Sequence, residues 1–167
     1  IISPWDRPRG GVASVVGNLG KYLENCGHEI FFFYADGRAF FLKQPTTQWG
    51  FRAFKLRLGF PFAARRPILS TLTFPILFPL AIFQLIWLLR RQHIQILNVH
   101  YPSSSFTFFA LCRKFLPIKL VTSIHGADIF PKGKPRINYP WAIKFLLKTS
   151  DLIVANSRAF RKDFLGL

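Results

Sequence analysis

A glycine pair that opens an amphipathic helix is the feature that most constrains the fold of this chain. After Gly10 and Gly11 the apolar residues follow helical spacing, which marks one buried helix face; they are Val12, Val15, Val16, Leu19, Leu23 and Cys26. Gly27 is placed to end this helix, and the apolar run 30–34 after it predicts a strand that is buried on both faces. A helix that leads into such a strand is typical of a parallel sheet.

The start of the same helix predicts a place for an anion. Neither Gly10 nor Gly11 has a Cβ, so a ligand can approach the free backbone amides and the positive end of the helix dipole. We therefore expect this glycine pair to bind a phosphate group.

Helices and strands alternate along the rest of the chain. The pattern predicts strands at 30–34, 95–99, 119–124 and 151–155, beyond a truncated first strand at the start, and helices at 103–115, 141–149 and 157–165. Ser103 and Ser157 are the expected helix caps. The 167 residues are enough for one domain with a sizeable core. We predict a single α/β domain over residues 1–167, a doubly wound, Rossmann-like parallel sheet.

The charge of the chain is strongly positive and unevenly distributed. Lys and Arg number 23 against 7 Asp and Glu, which gives a net charge of +16. Residues 37–127 contain no carboxylate side chain but many Phe, Lys and Arg residues. A polyanion or an anionic membrane surface is the partner that this distribution predicts.

Two consecutive stretches favour the membrane. Residues 38–66 mix aromatic and basic side chains, as an interfacial segment does, although a solvated loop with some rings in the core stays open. Residues 68–89 are uncharged and long enough to span a bilayer, but Pro75 and Pro79 predict an irregular piece before a helix at 80–92. We expect this helix to be buried or to rest on a membrane, with a spanning helix as the alternative. Residues 38–91 are thus predicted to be a membrane-facing insertion.

The two cysteines indicate a reducing compartment. Cys26 and Cys112 both lie in apolar stretches, which predicts free core thiols of a cytosolic protein rather than a disulfide or a metal site.

Polar residues follow the predicted strands, where ligands of open parallel sheets bind. We expect them to converge on one rim; they are Gly10 and Gly11, His100 and Tyr101, His125, Gly126 and Asp128, and Asn156 and Ser157. His125 can donate a hydrogen bond to a sugar hydroxyl or a phosphate oxygen, and Gly126 lets a ligand approach beside it. Asp128 could orient the imidazole or accept from a hydroxyl. A purely structural histidine stays the alternative for His125 and the preferred interpretation for His100.

In order and spacing these pieces resemble the amino-terminal domain of glycosyltransferase family 4, retaining transferases of the GT-B fold. The resemblance is carried by 10–12, 27–30, 100–102, 125–128 and 150–157. It implies a nucleotide-sugar as donor substrate, no metal or other cofactor, and a glycan acceptor, for which we expect a lipid-linked or cell-envelope glycan. By the same resemblance Gly10 and Gly11 face the donor diphosphate and His125 is catalytic, near the transferred sugar. The other rim residues bind substrate, and the protein is cytoplasmic, peripheral on the inner membrane face.

The chain departs from this family in its carboxylates. The second domain of such enzymes carries a pair of glutamates and binds the leaving diphosphate, whereas the only glutamates here are Glu24 and Glu29. We therefore expect a fragment or a truncated gene product that lacks the start of its first strand and the donor-binding domain, and is inactive alone.

Other functions are compatible with parts of the pattern. A nicotinamide-dependent dehydrogenase requires G-x-G-x-x-G, and the residues after Gly11 do not supply it, although Asp36 matches the expected acid. A nucleic-acid-binding module fits the charge, but the aromatic residues are mostly Phe in long apolar runs. A basic membrane-surface protein without transferase activity is the remaining alternative.

Overall fold

The computed structural model describes residues 1–3, 11–35, 46–56, 58, 67–125 and 140–157. Within them the strands are β1 (Ile2–Ser3), β2 (Phe31–Ala35), β3 (Thr46–Gln48), β4 (Phe51–Leu56), β5 (Ile96–His100), β6 (Lys119–Ile124) and β7 (Leu152–Ala155). The helices are α1 (Gly11–Asn25), α2 (Pro67–Arg91), α3 (Thr107–Cys112) and α4 (Pro140–Thr149), and a 3-10 turn at Ser104–Phe106 leads into α3.

The strands form one sheet in the order β3-β4-β2-β1-β5-β6-β7. Neighbouring strands are parallel except β3 and β4, which are antiparallel. From β1 the chain passes through α1 to β2 on one side, and it later returns through α2 to β5 on the other. The predicted doubly wound α/β sheet is confirmed, and its topological switch point lies between β1 and β5, where sheets of this kind bind ligands.

Helix α1 ends as predicted, and its buried face overlaps the predicted one in part: Val16 is buried, and Val12 and Leu19 pack against the same core. Gly27 has a φ of +86°, and the N–H groups of Gly27 and His28 donate to the carbonyls of Glu24 and Leu23 at 2.8 and 3.1 Å. This pair of bonds closes the helix in a Schellman motif. The buried residues are Ala13, Val16, Gly17 and Gly20.

Two of the residues predicted for the buried face of α1 lie outside it. Val15 is half exposed and Cys26 is exposed, so the prediction was wrong for both. The cause is the close approach of α1 to the sheet: the position of a Cβ on Gly20 lies 3.1 Å from ring atoms of both Phe32 and Phe51. A helix packed this closely must turn small residues toward the strands.

Strand β2 divides two hydrophobic cores. Phe31 and Phe33 belong to the larger core, which includes buried residues of α2, α3 and α4. Phe32 and Tyr34 belong to the smaller core, which includes Val16 of α1. Successive strand side chains point to opposite faces, so the predicted burial of this strand on both faces is confirmed.

Residues 46–56 add strands β3 and β4 to the sheet. Strand β4 pairs with β2 in parallel, and Phe51 and Phe54 are both buried. Trp49 occupies the turn between β3 and β4, with its ring 4.9 Å from that of Phe32. In this part of the segment 38–66 the rings are core residues. Residues 38–45, 57 and 59–66 lie outside the described residues.

Helix α2 is continuous from Pro67 to Arg91 and includes Pro75 and Pro79. The predicted irregular piece before residue 80 was therefore wrong. Each proline removes one backbone hydrogen bond of the helix, but the inner face of α2 packs on the larger core through Phe74, Phe78, Leu85, Leu88 and Leu89. This burial stabilises the helix across both positions.

Smaller differences concern α3 and the end of the chain. The predicted helix 103–115 is a 3-10 turn followed by α3, which ends at Cys112, and Ser103 makes no side-chain cap hydrogen bond. Cys112 is buried, and burial raises the pKa of its thiol to about 12. The predicted helix 157–165 lies outside the described residues beyond Ser157.

Candidate functional site

Four neighbouring strands end at one edge of the sheet and carry the residues predicted for the site. The strands are β1, β5, β6 and β7, which are adjacent in this order and parallel. We call the residues at and after the ends of these strands the rim; the described members are Gly11, His100, Tyr101, His125, Asn156 and Ser157. Gly10, Gly126 and Asp128 lie outside the described residues.

Two histidines of the rim contact each other. His100 Nδ1 lies 3.2 Å from His125 Nε2, and the two rings are 5.5 Å apart with an angle of 30° between their planes. The pairing of β5 with β6 places His100 opposite Ser123, so His125 follows two residues beyond. Register thus brings the two imidazoles together.

His100 is deeply buried and incompletely hydrogen-bonded. Its exposure is 3%, and Nε2 has no hydrogen-bond partner among the residues that the structure describes. Burial lowers the pKa of His100 to about 3, and the nearby His125 and the amino group of Ile1 lower it further. His100 is therefore neutral near pH 7. His125, by contrast, is half-buried, as a residue that meets a ligand must be.

Polar groups that the sequence analysis did not single out lie beneath the two histidines. Ser123 Oγ donates to Asn98 Oδ1 at 3.1 Å, and the N–H of Tyr101 donates to the Ser123 carbonyl at 3.1 Å. Tyr101 has a φ of +56°, so the chain turns sharply as it leaves β5. A polar residue inside an apolar strand, Asn98 in β5 and Ser123 in β6, is the signal that could have identified them.

Asn156 ties the end of β7 to the end of β6. Its Nδ2 donates to the His125 carbonyl at 3.4 Å, so the backbone of His125 is held from the β7 side. Ser157 follows and is exposed. The structure thus brings Asn156 next to His125, as expected from the order of the strands.

Gly11 lies at the first residue of α1 and is exposed. A Cβ at this position would meet no atom of the described residues within 4 Å. The space into which a Gly11 side chain would point is therefore open with respect to those residues. The backbone N–H groups at the start of this turn can donate hydrogen bonds to an anion on that side.

Other features of the described residues lie away from the rim. The exposed Glu24 and Glu29 lie at the end of α1 and before β2, on the opposite edge of the sheet. A groove lined by Trp87, Arg91 and His93, among others, lies at the end of α2 before β5 begins. Within the described ranges no three His, Cys, Asp or Glu side chains are grouped so that they could hold a metal ion.

Comparison with known proteins assigns the family. The sequence model described as Glycosyltransferase Family 4 matches residues 9–167, nearly the whole chain. No curated protein matches the sequence. The matched range contains the whole rim, and the sheet has the Rossmann-like topology of one half of a GT-B enzyme. The chain therefore belongs to glycosyltransferase family 4.

Proposed function

We propose that this chain is the acceptor side of a retaining glycosyltransferase that moves a sugar from a nucleotide-sugar to a lipid-linked or cell-envelope glycan. The observation that carries the proposal is the position of His125. Its ring contacts the buried His100 at 3.2 Å and its carbonyl accepts from Asn156, at the edge where parallel sheets bind ligands. A half-buried imidazole held in this way is suited to a reacting sugar.

The rim supplies part of the chemistry that glycosyl transfer needs. His125 hydrogen-bonds the transferred sugar near its anomeric carbon. The amides of Gly10 and Gly11 at the start of α1 approach the diphosphate, whose negative charge grows as it leaves. His100, Tyr101, Gly126, Asp128, Asn156 and Ser157 are the proposed substrate-binding residues. No metal is required in this scheme, because hydrogen bonds and the helix dipole stabilise the charge.

A second, donor-binding domain completes this site in our proposal. Glu24 and Glu29 are exposed on the edge of the sheet opposite the rim. They therefore cannot contact a sugar that is bound at the rim. One helix start is also a modest source of positive potential for a leaving diphosphate. Groups that bind the nucleotide therefore come from outside this domain, and the chain alone binds acceptor without transferring sugar.

An anionic membrane is the second partner that we propose. The outer face of α2 exposes large apolar side chains at regular helical spacing; they are Ile68, Leu72, Ile76, Leu80, Phe83 and Trp87, with exposures between 38% and 76%. Twenty residues of helix extend for about 30 Å. Arg90 and Arg91 are exposed at the end of this stripe, and the Arg91 guanidinium lies 5.0 Å from the centre of the Trp87 ring. Apolar residues that end in arginines and a tryptophan fit a lipid interface.

The contacts of α2 favour a helix that rests on the bilayer over one that crosses it. Thr71–Arg91 is long and apolar enough to span a membrane by length and composition. However, Leu85, Leu88 and Leu89 are buried in the larger core, and the Phe78 ring packs on Phe108 with centroids 5.1 Å apart. Lipid cannot surround a helix that is packed in this way. We place the domain in the cytoplasm, peripheral on the inner membrane face, with α2 toward the lipid.

Binding by the 167-residue chain tests the proposed transferase role. We expect a polyprenyl-diphosphate-linked glycan in detergent to bind, His125→Ala to weaken binding at least tenfold, and nucleotide-sugars to yield no product. The exposed His28, on the opposite edge, provides the control variant His28→Ala, which should bind like the wild type. Robust transfer by this chain would refute the need for a second domain. Binding of neither glycan nor nucleotide-sugar would refute the function itself.

A further inference from the structure

The contact between His100 and His125 places a single proton between two ring nitrogens. His100 Nδ1 and His125 Nε2 are 3.2 Å apart, and one of these nitrogens must donate while the other accepts. If His100 donates, its own Nε2 is a bare acceptor. If His125 donates, His100 carries its proton on Nε2.

The burial of His100 distinguishes the two arrangements. Nε2 of His100 is enclosed and has no partner within the described part of the chain, and the residue is almost completely buried. Among backbone groups, a buried N–H that donates to nothing is rarer than a buried carbonyl that lacks a donor, and we apply the same preference to the ring nitrogen. The arrangement with lower cost therefore places the proton of His100 on Nδ1, from which it donates to His125 Nε2.

This arrangement determines which nitrogen of His125 carries a proton. With Nε2 of His125 acting as acceptor, a neutral His125 must be protonated at Nδ1, because the hydrogen bond at one ring nitrogen sets the state of the other. The geometry points to His100 as a positioning residue that holds His125 as the Nδ1–H tautomer, a hydrogen-bond donor toward a sugar or phosphate oxygen rather than a general base. The identity of that oxygen rests on the proposed function, whereas the tautomer does not.

Nitrogen NMR of the histidine rings tests this assignment. In the 167-residue chain with ¹⁵N-labelled histidine, we expect long-range proton–nitrogen spectra at pH 7.5 to show His125 protonated at Nδ1 and His100 likewise. His28→Gln and His93→Gln assign the two remaining histidines. A wild-type His125 that carries its proton on Nε2 would overturn the inference.

Two variants separate positioning from mere packing. Asn can place an amide N–H where His100 Nδ1 lies, so His100→Asn should retain the Nδ1–H form of His125. His100→Leu fills similar space but has no donor, so His125 should lose that tautomer and shift toward Nε2–H. An unchanged tautomer in His100→Leu would contradict the role. If His100→Leu does not fold, the spectra of the wild type and of His100→Asn still test the role of His100. Loss of the Nδ1–H form of His125 in a folded His100→Asn variant would contradict that role. Absent glycan binding with the expected spectra would refute the proposed function alone.

Discussion

Asp151 accepts two hydrogen bonds from the guanidinium of Arg113, at 2.9 Å from Nε and 2.7 Å from Nη2. The same carboxylate accepts the backbone N–H of Leu120 at 2.9 Å. One side chain thus joins the end of α3 to β6 and to the start of β7. The Arg113 hydrogen bonds, followed by that of Leu120, hold the pKa of the Asp151 carboxyl well below its usual range.

We expect Asp151→Asn to destabilise the chain in a pH-dependent way. A carboxyl whose pKa is lowered by folding stabilises the native state above its unfolded pKa, and this stabilisation declines as the pH falls toward the folded pKa. The variant should unfold at lower urea than the wild type at pH 7, and the difference should narrow below pH 4. Lys119→Ala is the control and should have little effect, because Lys119 Nζ lies 3.5 Å from Asp151 Oδ1 and its side chain is largely exposed. Equal midpoints at pH 7 for Asp151→Asn would contradict this prediction.

His100 should make the fold sensitive to mild acid. Its pKa of about 3 lies below the value of an unfolded histidine, so the unfolded chain binds the extra proton first. Stability is then complete above about pH 6.5 and falls as the pH decreases toward 3, by up to about 1.4 kcal/mol per pH unit. The free energy of unfolding, measured with urea between pH 4.5 and 7, should change less with pH in His100→Asn than in the wild type. Because His125 and the Ile1 amino group face His100, only the difference between variant and wild type is diagnostic; identical slopes would refute the prediction.

Two glycines of α1 should respond differently to alanine. Replacing a helical glycine by alanine gains about 1 kcal/mol in helix propensity. A Cβ at Gly20 lies 3.1 Å from the rings of Phe32 and Phe51, which are fixed in the smaller core, and overpacking costs about 1–3 kcal/mol. We expect Gly20→Ala to lower the free energy of unfolding by about 1 kcal/mol.

Gly17→Ala is the matched comparison for Gly20→Ala. Its Cβ would meet the Trp49 indole at 3.1 Å, and this ring is only half-buried, on the turn between β3 and β4. The indole can move by a few tenths of an ångström, so stability should stay unchanged or rise by up to about 1 kcal/mol. Chemical denaturation measures both variants. A Gly20→Ala chain as stable as Gly17→Ala would show that the smaller core is not tightly packed.

Vesicle flotation should distinguish the two faces of α2. Phe83 is 68% exposed, so Phe83→Ser should reduce retention on anionic vesicles about tenfold, as loss of one large apolar contact predicts. Leu88→Ala, on the inner face, should instead destabilise the fold by about 2–5 kcal/mol and leave retention of the folded protein unchanged.

The composition of the vesicles identifies the partner. Phosphatidylglycerol should retain the chain better than phosphatidylcholine, and salt should weaken this retention. Equal retention of wild type and Phe83→Ser would remove α2 from the lipid contact. Displacement of the chain from vesicles by single-stranded DNA at low concentration would favour the nucleic-acid alternative.

The sequence predicted the alternation of helices and strands but not the packing between them. Strands β2, β5, β6 and β7 were predicted to within about one residue, because buried parallel strands are continuous apolar runs with clear ends. Strand β4 was not predicted, because its mixture of Phe with Arg and Lys also fits an interfacial segment. Strand β3 was not predicted, because its three residues, Thr46–Gln48, contain no apolar run. The course of α2 through Pro75 and Pro79 depends on burial against the larger core, which lies far away in sequence.

The residues of the rim could be predicted from the sequence, but the contacts between them could not. That His100, Tyr101, His125 and Asn156 share one edge follows from parallel strands, which end on the same side. The hydrogen bond from His100 to His125 depends on the register between β5 and β6, and no local pattern specifies this register. The buried state of His100 depends on both strands in the same way, so its neutral charge could not be inferred beforehand.

Four aromatic residues in succession, 31–34, leave the frame of strand β2 nearly undetermined by hydrophobicity. A slip by one residue would exchange the rings between the two faces of the sheet. Each face would then bury rings of almost the same size as before. The register of the strand must instead be set by its neighbours, namely by the turn at Gly27 and by the hydrogen bond that Phe33 N–H donates to the Ile1 carbonyl at 2.8 Å. One residue inserted into that turn would thus preserve the aromatic positions of the strand and still shift β2 by one residue against β1, one of the strands that end at the rim.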